Sequence, residues 1–303
     1  MGNLRTPSPL LPGDEIRIVS PASAVEREYI EKSMKSLIGL GYRATLGNNI
    51  FSVFNQFAGT DQERTADFQE AINDPQVKAI FCARGGYGSI RIIDKIDFSK
   101  LNKNPKWIVG FSDITVFHTL LNNTFKIETL HSPMPVNFES PQFVENFTQL
   151  NRILQGQKPK IVIPGNSLNR KGHKKGTLVG GNLSILYSLQ STPYEIDTKN
   201  KILFIEDVGE QLYHLDRMLQ NFLLSGKFKD LKGLVIGGMT DMQDKKRPFG
   251  KTPYEIILDA VKKYNYPVLF DFPAGHTDNN IPFILGAEVG LMIGDNESVI
   301  EYI

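Results

Sequence analysis

A serine held where a strand meets a helix can serve as a nucleophile, and Gly110-Phe111-Ser112-Asp113 has that setting. The apolar run Trp107 to Gly110 precedes it, and a helical pattern from Asp113 to Asn122 follows. Such a turn fixes the hydroxyl and aims the N–H groups of the helix start at a developing oxyanion. Serine at a helix start also suits a plain N-cap. The fifth position of G-x-S-x-G carries Ile114 instead of glycine, which argues against the α/β-hydrolase elbow. A second candidate, Arg84-Gly85-Gly86-Tyr87-Gly88-Ser89, follows the apolar run Val77 to Ala83. Its glycines allow backbone N–H groups to approach an anion closely. Neither G-x-x-x-x-G-K-[ST] nor G-x-G-x-x-G is present. The stretch therefore reads as a phosphate cradle of another kind, an oxyanion loop facing the serine turn, or a tight turn without chemistry.

A serine hydroxyl needs a general base, and histidine is the usual one. There are five: His118, His131, His173, His214 and His276. His118 sits on the helix after the serine turn and is expected to point away from it. His173, in the basic run Arg170 to Lys175, and His214, on a helix among polar neighbours, read as surface residues. His276 lies in Ala274-Gly275-His276-Thr277-Asp278-Asn279-Asn280, a turn-rich loop after an apolar strand that can present a ring to a cleft. His131, in Leu130-His131-Ser132-Pro133, competes with it. The base in turn needs an acceptor that fixes its tautomer. Leu203-Phe204-Ile205-Glu206-Asp207 puts acids at a strand end, and spacing does not separate Glu206, Asp207 and Glu210. Cys82, inside an apolar strand, reads as a small buried hydrophobe and not as a nucleophile.

The elements that must position these residues alternate along the first half. Strands are expected at Glu15 to Ser20, Tyr42 to Leu46, Val77 to Ala83 and Trp107 to Gly110. Helices are expected at Glu26 to Leu40, Asp61 to Asn73, Ser89 to Lys95 and Asp113 to Asn122. Alternation of this kind indicates a parallel sheet, whose ligands bind beyond the carboxyl ends of its strands. The turns after Ala83 and Gly110 lie on that edge. Residues 140 to 175 are rich in Asn, Gln, Pro and Lys, with one short helix near Val144 to Leu154. The expected division is an α/β domain over residues 1–150, a linker over 151–175 and a second, β-rich α+β domain over 176–303. Its strands are expected at Thr177 to Val179, Lys201 to Glu206, Gly233 to Ile236, Pro267 to Phe270, Val289 to Ile293 and Ser298 to Tyr302. Its helices are expected at Leu183 to Leu189, Gln211 to Ser225 and Pro253 to Lys263.

Composition narrows the function classes. The 303 residues carry a formal net charge of +1 with acids and bases mixed throughout, which disfavours a nucleic-acid binder. Hydrophobic residues at 41% suffice for two cores. One cysteine permits neither an internal disulfide nor a Cys-rich zinc site. No segment reaches the roughly 18 apolar residues of a membrane span. The amino terminus shows no charged region followed by an apolar stretch, and the reading is a cytoplasmic protein.

Taken in order, LLPGDEIRIVSPAS, ARGGYGS, IVGFSDIT, LHSPM, LVGGNLSIL, LFIEDVGEQLYHLDRML and PAGHTDNN resemble the LD-carboxypeptidase family. That family includes murein tetrapeptide LD-carboxypeptidases and microcin-immunity peptidases. The resemblance implies a flavodoxin-like parallel-sheet domain bearing the nucleophile, followed by a β-rich α+β domain bearing the acid and the base. It implies a triad of Ser112, Glu206 and His276, with oxyanion N–H groups from Gly85 or Gly86 and from Asp113. It implies no cofactor and no metal, a homodimer, and a small peptide as substrate. Murein tetrapeptide, cut before its terminal D-alanine, is the expected substrate. Cleavage of an aminoacyl-nucleotide toxin is the alternative within the family, and a non-catalytic two-lobed binding protein the alternative outside it. Arg84 is a candidate contact for the substrate carboxylate. Two departures from the family pattern, Ser132 after His131 and Ser191 in Ser191-Thr192-Pro193, stand where glycine is common. They leave the triad untouched and mark places where the substrate pocket is expected to differ.

Overall fold

A computed structural model describes residues 4–137 and 142–303. In chain order the first strands are β1 Glu15–Val19, β2 Arg43–Leu46, β3 Val77–Cys82, β4 Trp107–Gly110, β5 Thr129–His131 and β6 Lys160–Pro164. The others are β7 Gly172–Asn182, β8 Ile202–Val208, β9 Gly233–Thr240, β10 Val268–Leu269, β11 Phe283–Leu285, β12 Glu288–Ile293 and β13 Glu297–Tyr302. The helices are α1 Arg27–Gly39, α2 Asp61–Asn73, α3 Thr115–Leu120, α4 Phe143–Leu154, α5 Leu183–Ser188, α6 Leu212–Leu224 and α7 Pro253–Val261. They form two compact units. One contains the described residues up to Gln157 together with Asp278–Gly286, the other Lys158–Thr277 and Ala287–Ile303.

The amino-terminal unit is built on a sheet in the order β11-β5-β4-β3-β1-β2. Strands β1 to β5 pair in parallel in the flavodoxin-like order, and β11 adds an antiparallel edge against β5. Strands β3 and β4 are apolar and almost wholly buried, as expected of parallel strands covered on both faces. Helix α2 starts where Thr60 and Glu63 form a reciprocal capping box. The helix expected over Ser89 to Lys95 is two 3₁₀ turns, Ser89–Arg91 and Ile93–Lys95. The one expected over Asp113 to Asn122 is a 3₁₀ turn at Ser112–Ile114, then α3, then a π turn at Leu121–Phe125.

The carboxy-terminal unit has a mixed sheet in the order β10-β9-β8-β7-β12-β13-β6. Strands β7 to β10 run parallel, whereas β12, β13 and β6 pair antiparallel. Leu203 and Ile205 of β8, Met218 and Phe222 of α6 and Ile257 of α7 belong to one apolar core.

Two expectations about the division are corrected. The linker over 151–175 holds β6 and the first part of β7. Strand β6 alternates exposed and buried residues along only five positions, too short a pattern to stand out among polar neighbours. Residues 278–286, expected in the second domain, belong to the amino-terminal unit through β11. A three-residue strand defined by pairing with a segment more than 150 residues earlier has no local signature.

Ser191 has a φ of +61° and is exposed after α5. A side chain in the left-handed region is strained, and glycine relieves the strain at some cost in chain entropy. Ser191→Gly is expected to stabilise the protein by about 0.5–1 kcal/mol, read from the denaturant midpoint at unchanged m-value.

Candidate active site

In the amino-terminal unit β4 ends at Gly110, and the chain turns so sharply that Ser112 takes a φ of +61°. Non-glycine residues in this conformation cost about 1–3 kcal/mol and cluster at functional sites. The residue ahead of the 3₁₀ turn is Phe111, so Ser112 does not occupy the N-cap position. A methyl group on Gly85 would lie 2.9 Å from Ser112 Cβ and 3.1 Å from its Oγ. Only glycine lets the two backbones approach this closely. The same hypothetical methyl is 3.4 Å from Asp113 N, which sits in the first turn and has no intrahelical acceptor. Gly86, with φ +97°, faces Ser23 instead of Ser112. The loop is fastened by Ser23 N donating to Gly85 O at 3.2 Å and by Tyr87 N donating to Ser23 Oγ at 3.3 Å. Among the described residues the N–H groups of Gly85 and Gly86 are engaged by no acceptor.

The neighbours of this turn separate roles that sequence left open. His118, expected to point away, turns back beneath the strand end, with Nε2 2.9 Å from Gly110 O. Burial pushes its pKa down to about 4, although the Gly110 carbonyl opposes this. His131 lies within β5 opposite Gly110, fully buried, its ring stacked on Phe283 at 4.7 Å and 5.6 Å from Phe111. It is a core residue. Cys82 is fully buried and burial raises its thiol pKa, which favours the unreactive form. Arg84 is exposed and donates from Nη1 to Ala24 O at 3.1 Å.

In the carboxy-terminal unit the acids at the end of β8 part company. Successive side chains of a strand point to opposite faces. Glu206 has no exposed surface, and its Oε2 accepts from His276 Nδ1 at 2.7 Å and from His276 N at 3.1 Å. Asp207 faces the start of α5, accepting from Asn182 Nδ2 at 3.0 Å, Ser184 N at 2.8 Å and Val208 N at 2.9 Å. Glu210 pairs with His214 one helical turn on. Of the three acids, Glu206 is the one bonded to His276.

Acceptance of Nδ1–H by a carboxylate leaves Nε2 as the ring nitrogen able to take a proton. Gly275 has a φ of +102°, and a methyl there would lie 2.6 Å from Glu206 Oε2, so glycine is required for the carboxylate to pack. Thr240 Oγ1 donates to His276 O at 2.7 Å and fixes the loop from the end of β9. Burial lowers the His276 pKa, but the hydrogen bond and charge of Glu206, with the charge of Asp207, outweigh it and raise the net value. Asp207 is pushed up to about 7 by burial and by the Glu206 charge, against the hydrogen bonds it accepts.

Sequence reasoning did not single out Ser23, Thr240 or Gly275. The glycine pair Gly237-Gly238 inside β9 was the available signal, since a methyl on Gly238 would lie 2.3 Å from Thr277 Cγ2. Among the described residues no three His, Cys, Asp or Glu side chains converge as metal ligands.

Comparison with known proteins decides the family. Residues 16–132 match the LD-carboxypeptidase N-terminal domain and residues 175–291 the LD-carboxypeptidase C-terminal domain. The chain belongs to the LD-carboxypeptidase family. A probable murein peptide carboxypeptidase of Bacillus subtilis (strain 168) is 34% identical to it over 300 residues, covering 97% of this chain and 94% of the relative. The crystal structure of muramoyltetrapeptide carboxypeptidase from Oxalobacter formigenes superposes with a TM-score of 0.83 at 27% identity, over 95% of this chain and 98% of that one. The microcin C7 self-immunity protein MccF, in complex with aspartyl sulfamoyl adenosine, shares the fold with a TM-score of 0.85 at 20% identity, over 97% of each chain. As a member of this family the chain is a serine-type peptidase, with the expected parallel-sheet domain and β-rich second domain. Among the described residues no helix is long and apolar enough to cross a membrane.

Two outcomes test the roles that the resemblance implies for Ser112, His276 and Glu206. Ser112→Ala and Ser112→Gly are both expected to abolish turnover, with the glycine variant about 1 kcal/mol more stable in denaturant titration because it relieves the left-handed strain. The second concerns pH. A base with a raised pKa is protonated and inactive below that value, so the acid limb of kcat/KM should fall above the ordinary histidine pKa of about 6.5. Glu206→Gln should move that limb to lower pH and cut the plateau rate by about 10³–10⁴-fold, whereas Asp207→Asn should leave it within about tenfold. A larger loss from Asp207→Asn would reassign the acid.

Proposed function

We propose that this chain is a serine LD-carboxypeptidase that hydrolyses the amide to the terminal D-alanine of a murein tetrapeptide, in cytoplasmic turnover of the cell wall. The buried Glu206 carboxylate holding His276 through Nδ1 carries the reading, because it prepares Nε2 to act on a hydroxyl. The Oxalobacter relative, a muramoyltetrapeptide carboxypeptidase, supports the choice of peptide. In this mechanism His276 Nε2 takes the Ser112 proton as Oγ attacks the carbonyl carbon. The oxyanion is stabilised by the N–H groups of Gly85 and Asp113, Gly85 being favoured over Gly86 because it lies against Ser112. Imidazolium then protonates the leaving amine, D-alanine departs, and water deprotonated by His276 cleaves the acyl-enzyme. Glu206 stabilises the imidazolium throughout. Among the described residues Arg84 has one donor engaged, by Ala24 O, which leaves the others for the terminal carboxylate of the peptide.

Incubation with a tetrapeptide ending in D-alanine, followed by mass spectrometry, is expected to show loss of one alanine. The L-alanine counterpart and the C-terminal amide should both be poor substrates. Equal rates on the D- and L-ended peptides would overturn the stereochemical assignment. Hydrolysis of an aminoacyl-adenylate analogue in place of the tetrapeptide would move the substrate to the nucleotide-toxin class.

A further inference from the structure

We propose that Arg64 is a positioning residue for the oxyanion loop, acting through the single peptide unit that joins Gly88 to Ser89. The inference rests on the reading of Ser112 as nucleophile. Arg64 projects from α2, and its side chain is 1% exposed. Its Nη1 donates to Gly88 O at 2.9 Å and to Pro21 O at 2.6 Å, and its Nη2 pairs with Asp61. From the other side Asp113 Oδ2 accepts from Ser89 N at 2.8 Å. The Gly88 carbonyl and the Ser89 N–H are the two ends of one planar group. A guanidinium at one end and a carboxyl group at the other therefore fix both its position and its rotation.

The gripped peptide connects the two parts of the site in this unit. Asp113 is the residue after Ser112, and Gly88 lies three residues beyond Gly85, whose backbone packs on Ser112. Gly88 has a φ of +146°, and a methyl there would lie 2.6 Å from Arg64 Nη1 and 3.1 Å from Ala22 Cα. The glycine is thus needed for the guanidinium to reach the carbonyl. Burial lowers the Arg64 pKa, while the charges of Asp61 and Asp113 work against that shift. Buried ion pairs contribute little net stability, so stability alone gives weak grounds for a guanidinium here. Oxyanion donors act only when held near 3 Å from the oxyanion, and displacement by about 1 Å costs roughly 10²-fold in rate.

The test uses phosphonylation of Ser112 by a fluorophosphonate, alongside kcat and KM on the tetrapeptide. Arg64→Ala is expected to slow phosphonylation and kcat together by roughly 10–100-fold, with KM changed less than about twofold. Added guanidinium ion should restore part of the rate, and ammonium ion at the same ionic strength should not. Asp113→Asn, which keeps an acceptor and removes the charge, should give a loss that does not add to that of Arg64→Ala, because both act on one peptide. A folded Arg64→Ala variant at the wild-type rate would overturn the proposal, as would additive losses without rescue by guanidinium. If Arg64→Ala does not fold, Arg64→Lys and Asp113→Asn decide by the same cycle, and failure of both to fold would assign the pair to the scaffold and overturn it too. An unlabelled wild-type Ser112 would overturn the nucleophile reading and this proposal with it, whereas a labelled wild type with unaffected variants overturns this proposal alone.

Discussion

A carboxylate with no exposed surface must find donors or lose its charge, and the placement of Glu206 imposes that condition on the carboxy-terminal unit. Two donors come from one residue, the ring and the backbone of His276. Their convergence demands a glycine at 275 with a left-handed backbone, and Thr240 at the end of the next strand to hold the His276 carbonyl. The same buried charge reaches the neighbouring acid. Asp207, on the opposite face of β8, is pushed up to about 7 by its own burial and by Glu206. Hydrogen bonds from Val208 and Asn182 offset part of this, and those from Asn182 and Ser184 fasten the start of α5. Adjacent acids thus do different work, because a strand sends them to opposite faces.

The two units share one way of building a site. In each, a side chain that could take part in chemistry stands near or just past the end of a parallel strand, and a glycine from the loop after another strand of the same sheet is packed against it. Gly85 after β3 meets Ser112 after β4, and Gly275 after β10 meets Glu206 on β8. Close approach of backbone to side chain excludes a Cβ at these points, which is a stronger requirement than turn formation. It also separates the glycines by role: Gly85 lies on the serine, Gly86 on Ser23 and Gly88 on the Arg64 guanidinium.

The strained backbone at Ser112 is supported by its surroundings. His118 bonds Gly110 O from below, and His131 and Phe111 fill the space beside the strand end. A neutral, buried His118 is consistent with a fixed hydrogen bond to a carbonyl, and burial holds its pKa near 4. Rigid packing of this kind lets a turn keep a conformation that an isolated serine would avoid.

Sequence alone determined the parallel-strand pattern of the first half, the start of α2 at its capping box, and the strand ends near which Ser112 and Glu206 sit. These are local properties, written in periodicity and in the residue types at element ends. The family resemblance chose Ser112, Glu206 and His276 from among several candidates, whereas spacing left Glu206, Asp207 and Glu210 equivalent and His131 in competition with His276. Tertiary structure alone decided that, of Glu206, Asp207 and Glu210, it is Glu206 that bonds His276, and that His131 belongs to a core between Phe111 and Phe283. It alone showed that β11 returns to the amino-terminal sheet and that β6 closes the other one. The physical reason is the same in each case. Which face a side chain shows, and which strand a short segment joins, is set by partners far along the chain, 70 residues apart for Glu206 and His276 and more than 150 for β5 and β11, and no window of local sequence contains them.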